Sequence, residues 1–189
     1  MARWLRDIQG AGSEAAVSDV GDQDWTWTST RINLAPKDFP GANPNAAAYS
    51  RGHRYVIDAG ANILVKVKRN GAVKVLAFFR VPAGAQSDAV PTCVARGPDG
   101  ALYVGEWLGG FCSPGHALNE GPTANPAGDV VRIDRHGHRT HLGVGRLFFP
   151  SGFAAQSNGA IYASNCSIAP AAGMGPDLCP TGDQVVRDR

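Results

Sequence analysis

Residues 90–107 read VPTCVARGPDGALYVGEW: a proline, a short apolar run, a turn, a second apolar run and an acid. Cys93-Val94-Ala95 and Leu102-Tyr103-Val104 predict two strands. Gly97-Pro98-Asp99-Gly100 predicts the turn between them, because proline fixes φ and glycine accepts positive φ. In GDVVRIDRHG (128–137), Val131 and Ile133 alternate with Val130 and Arg132, the period of two that marks a strand. His136-Gly137 closes that strand, and HRTHLGV supplies a fourth, outer one.

The same order stands on either side. Upstream, NPNAAAYSRGHRYVIDAG (43–60) runs from a proline through a small apolar run and a turn to Tyr55-Val56-Ile57 and Asp58. ILVKVKRNG (63–71) alternates and ends in Asn70-Gly71, a strong hairpin signal, and AVKVLAFF (72–79) is the outer strand. Downstream, FPSGFAAQSNGAIYASNC (149–166) repeats the pattern, with Asn158-Gly159 as the turn and Ile161-Tyr162-Ala163 as the second strand. GDQVVRDR (182–189) matches the third strand of the preceding unit.

Four strands recurring every 40–50 residues or so are the mark of propeller blades. The pattern predicts an all-β chain, an incomplete β-propeller of about three four-stranded blades. A partial propeller over 43–189 would place blades at about 43–89, 90–149 and 150–189, the last without its outer strand. Three unrelated hairpins in a β-sandwich are the alternative. Residues 1–42 form an N-terminal segment leading into the propeller. It is expected to pack on the first sheet or to lend it a strand through DWTWTST, with Trp25 and Trp27 on one strand face.

Composition agrees with many short strands: 24 glycines, 13 prolines, 43% hydrophobic and 18% charged residues. A net charge of +2 without a dense Lys/Arg cluster argues against a nucleic-acid partner. No apolar run reaches the length of a membrane span. The first residues lack the apolar stretch of a signal peptide, whereas Cys93, Cys112, Cys166 and Cys179 suit an oxidising compartment. A chain that has lost its true start would reconcile the two.

PTCVARGPDGALYVGEW, NPN…VIDAGANILVKV…NG and GDVVRIDRHG resemble the ScyD/ScyE family, bacterial proteins related to NHL-type propellers and named for an association with scytonemin biosynthesis. The resemblance covers about residues 43–189. It implies a six-bladed, often exported propeller, extracellular or periplasmic, whose molecular activity is poorly defined. With three blades here, another chain or oligomerisation would have to complete the ring, because open blade edges invite aggregation.

Asp58, Glu106 and Asn165 follow the second strand at equivalent places in successive blades. Oxygen ligands converging from neighbouring blades would suit Ca²⁺ or a similar divalent cation, and capping of each strand end is the alternative. Asn45, Thr92 and Ser151 adjoin the repeated prolines and are candidate ligand-binding residues; satisfying turn amides is their other reading. His136, His138 and His141 are close in sequence, but His138 and His141, three apart on a strand, should face opposite sides. Cys166 and Cys179 flank a Pro/Gly-rich insertion that a disulfide would staple. Cys93 reads as a small buried hydrophobe.

No catalytic residue can be named, since the nucleophile and phosphate-loop motifs are missing. Three functions stay open: a scaffold binding a small molecule or protein on its loop face, a metal-dependent lactonase- or hydrolase-like propeller, and a nonfunctional gene fragment. The scaffold is favoured because the insertions at 107–127 and 166–181 fall between the same strands, hence on one face.

Overall fold

The computed structural model describes residues 4–9, 13–31, 40–80, 89–107, 128–147, 149–166 and 183–188. They fall into two compact units, 1–80 and 81–189. The first holds a hairpin of β1 (Trp4–Gln9) and β2 (Ser13–Asp19), a helix α1 (Val20–Ser29), and a sheet of β3 (Pro44–Ser50), β4 (His53–Asp58), β5 (Ile63–Val67) and β6 (Val73–Phe78). The second holds β7 (Val90–Arg96), β8 (Leu102–Trp107), β9 (Gly128–Ile133) and β10 (Arg139–Leu147), then β11 (Phe149–Ala155), β12 (Ile161–Cys166) and β13 (Asp183–Asp188).

Strand order within the sheets is β3-β4-β5-β6, β7-β8-β9-β10 and β11-β12-β13, antiparallel throughout. Each sheet is an up-and-down meander, the form of a propeller blade. The fold is therefore all-β and propeller-type, with two four-stranded blades and a three-stranded one among the described residues. The turns are those the sequence predicts: Gly100 stands at φ +80° and Gly159 at +86°, where a Cβ would be strained.

The tyrosines hold one register position. Tyr55 lies between Ala48 and Lys66, Tyr103 between Ala95 and Arg132, and Tyr162 between Ala154 and Arg187. In the second blade that register makes a polar bridge, with Asp99 accepting from the Tyr103 hydroxyl at 3.1 Å and from Arg132 Nε at 2.8 Å.

Each unit has its own core. In the first, Val20 of α1 packs with Val56, Ala61, Ile63, Val65 and Val67. In the second, Tyr103, Val130 and Leu147 pack with Ile161 and Ala163, joining the second and third sheets. Burying an aliphatic side chain such as Ile63 contributes about 2 kcal/mol.

The segment DWTWTST departs from expectation: it is helix, not strand. Asp19 caps α1 by accepting from the Asp22 N–H at 3.0 Å. The hydroxyls of Thr26, Thr28 and Ser29 bond back to carbonyls of the helix, so each is satisfied within it. Helical spacing separates the two tryptophans, so Trp25 is exposed while Trp27 packs on Phe78, ring centroids 6.0 Å apart. Gln23 and Ser18 tie the helix to the β5–β6 turn: Gln23 accepts from the Val73 N–H at 3.0 Å, and Ser18 donates to the Gly71 carbonyl at 2.6 Å.

Candidate functional site

In all three sheets a proline at or next to the start of the inner strand lies opposite a polar residue at or next to the end of the second strand. The pairs are Pro44 with Asp58, Pro91 with Glu106, and Pro150 with Asn165. The register then slips by one residue, between Pro44 and Ala46, Pro91 and Cys93, and Pro150 and Gly152. The residues left unpaired by these bulges are Asn45, Thr92 and Ser151. Bulges of this kind re-aim a side chain. Six of the residues singled out by the sequence thus stand at one end of their own sheets. The connection from second to third strand leaves from that same end, as residues 59–62, 108–127 and 167–182.

The three bulge residues differ in exposure. Asn45 is exposed, and so is Ser151, whose Oγ lies 3.0 Å from Ser164 Oγ. Thr92 is buried, and its hydroxyl shares its proton between the carbonyls of Gly105, at 3.2 Å, and Pro150. Gly105 permits this approach, since a Cβ there would lie 2.8 Å from Cys93 Sγ and 2.9 Å from Thr92 Oγ1. Cys93 is a buried free thiol, pushed up to about 11 by its burial, as expected of a small hydrophobe. The proposed Cys166–Cys179 pairing lies outside the described residues.

Asp58 organises its own turn. One carboxylate oxygen accepts from the N–H groups of Asn43 (2.7 Å), Gly60 (2.9 Å) and Ala61 (2.7 Å). Asp58 also meets Asp24, which α1 brings to it fully buried. Burial first, then the charge of Asp58, raise Asp24 to about 8. Burial raises Asp58 as well, against the three amides that favour its ionised form. Asp24 therefore keeps a proton at neutral pH.

The second blade holds a different cluster. Glu106 on β8 lies directly opposite Asp129 on β9. His141 on β10 lies opposite Val131, one diagonal step from Asp129 on the same face. One ligand atom from each of the three lies within 4.8 Å of the others. Glu106 and Asp129 are buried, and His141 is exposed with its Nδ1 2.6 Å from Asp129 Oδ2. Burial, then the charge of Asp129, push Glu106 up to about 8, with Arg139 pulling the other way. Two facing carboxyl groups are unfavourable unless a proton or a cation comes between them.

Glu106 was legible as a candidate; Asp129 was not. The signal for it was the pairing of Trp107 with Gly128 across the 108–127 connection, which brings Asp129 opposite Glu106. His141 joins these acids. His136 and His138 stay at the β9–β10 turn, His138 Nδ1 3.1 Å from Asp134 Oδ2.

No family model matches the chain, and no curated protein matches it in sequence. Among solved structures it is similar to virginiamycin B lyase from Staphylococcus aureus, with 18% identity and a TM-score of 0.45 over 66% of this chain and 35% of that one. It is similar to a gluconolactonase-like protein, with 18% identity and a TM-score of 0.47 over 69% of this chain and 44% of that one. It is also similar to a streptogramin B lyase, with 15% identity and a TM-score of 0.34 over 70% of this chain and 51% of that one. All three are β-propeller proteins. The chain spans between about a third and a half of their lengths. Among the described residues, no helix is long and apolar enough to cross a membrane.

Proposed function

We propose that this chain is a ScyD/ScyE-like β-propeller acting as a binding scaffold for a small molecule or a protein. The observation that carries this reading is the corresponding end of each of the three sheets, where bulge residue, polar partner of the proline and second-to-third connection coincide. The exposed Asn45 and Ser151 would contact the ligand, Thr92 would hold the strands beneath them, and the second-to-third connections would supply the rest of the binding face. Recognition commonly sits on connections held by a rigid scaffold. On this reading the protein is extracellular or periplasmic, and the Cys166–Cys179 disulfide staples one connection.

The test replaces 108–127 and 167–182 with turns like residues 59–62. Molecules retained by the purified chain are read by native mass spectrometry, and a small-molecule panel by thermal shift. Binding should vanish while the circular dichroism of the sheets persists. Unchanged binding overturns the scaffold reading.

A second reading, a metal-dependent lactonase- or hydrolase-like propeller, is supported by the common register of Asp58, Glu106 and Asn165. A Ca²⁺-like cation would be their shared ligand. Loss of bound Ca²⁺ on Asp58→Asn supports it, and absence of stoichiometric Ca²⁺ binding removes it. Cooperative unfolding of the purified chain would exclude a nonfunctional gene fragment.

A further inference from the structure

We propose that Glu106, Asp129 and His141 form a divalent-cation site contained within the second blade, suited to a transition-type ion such as Zn²⁺ or Mn²⁺. The inference is independent of the scaffold reading and needs no neighbouring blade.

Three adjacent strands supply the three side chains, so backbone pairing positions the site. Glu106 and Asp129 are direct partners across β8 and β9, and His141 reaches the same face from β10. Their ligand atoms lie within 4.8 Å of one another, close enough for one ion to draw together by small side-chain shifts. A second observation points to an occupant. Asp129 is 4% exposed, and its Oδ1 is buried without a hydrogen-bond partner, although the rest of the carboxylate is engaged by His141. A buried carboxylate oxygen left in that state calls for an ion or a water.

The donor set narrows the ion. An imidazole beside two carboxylates suits Zn²⁺, Mn²⁺ or a similar ion better than Ca²⁺, which prefers oxygen throughout. His141 is exposed, which leaves an entry path and room for water or a ligand oxygen in the remaining coordination positions. The chemistry on offer is polarisation of a carbonyl or carboxylate oxygen on a small ligand at the sheet end.

Chelator-stripped protein is titrated with Zn²⁺, Mn²⁺ and Ca²⁺ by calorimetry and thermal shift. Saturable binding of Zn²⁺ or Mn²⁺ to a single site, with a rise in Tm, is expected. Asp129→Asn and His141→Ala should each weaken it by about tenfold or more, a loss typical of a disturbed metal shell. His141 is at the surface, so its removal leaves the fold intact. Asp58→Asn should leave this binding unchanged, which separates the site from the multi-blade Ca²⁺ reading. No saturable Zn²⁺ or Mn²⁺ binding, or binding untouched by His141→Ala, overturns the proposal. So does an Asp129→Asn chain more stable than the parent at every metal concentration, which would mark the acids as a proton-sharing pair.

Discussion

At the scale of single residues, the contact between the second and third sheets turns on Thr92, Gly105 and Pro150. Thr92→Val keeps the shape but removes the hydroxyl that donates to the carbonyls of Gly105 and Pro150, leaving Pro150 only the Cys93 thiol. It should destabilise the chain by about 1–3 kcal/mol, measured by urea unfolding. Gly105→Ala should cost a similar ~1–3 kcal/mol, because its methyl would press on Cys93 Sγ, Thr92 Oγ1 and Pro150 Cγ. A double-mutant cycle should show the two changes to be non-additive, since both act on one contact. Thr92 was readable as special from its place after a repeated proline. That its hydroxyl faces inward was not, because the bulge that turns it is a property of the paired strands.

At the scale of elements, α1 presses a protonated acid onto the end of β4. The sign of its pH dependence follows from Asp24, raised in the fold from 3.8 to about 8. The folded state holds this proton longer than the unfolded chain does. Its contribution is thus greatest below about pH 4 and is lost as pH rises toward 8 and through it. Melting temperature should fall across that window, and Asp24→Asn should flatten the fall, with its largest relative gain above pH 8. An Asp24→Asn chain that declines as steeply as the parent would refute the pairing. This helix is also where sequence reasoning failed. Trp and Thr alternate in DWTWTST and read as a strand, and the buried positions Val20, Asp24 and Thr28 follow a helical period hidden by a carboxylate and a hydroxyl.

At the scale of the whole molecule, each unit carries its own hydrophobic cluster. Ile63→Ala, in the first cluster, should cost about 2–5 kcal/mol. Hydrogen exchange should quicken over 44–78 and stay unchanged over 90–107 and 128–147; uniform quickening would show one shared core instead. In the parent chain the slowest amides should lie in β4, β5, β8 and β9, strands paired on both sides. By itself the sequence determined the meander sheets, their turns and the common position of the three tyrosines. Period-two alternation and Gly-containing turns are local signals, and their repetition at a set order leaves few other topologies. Only the tertiary structure decided the partners of the acids. Asp58 meets a helix residue and Glu106 meets Asp129 and His141, although both acids hold the same place in the repeat. A repeat dictates where a side chain starts, but what it faces is set by elements outside the repeat and by register across long connections.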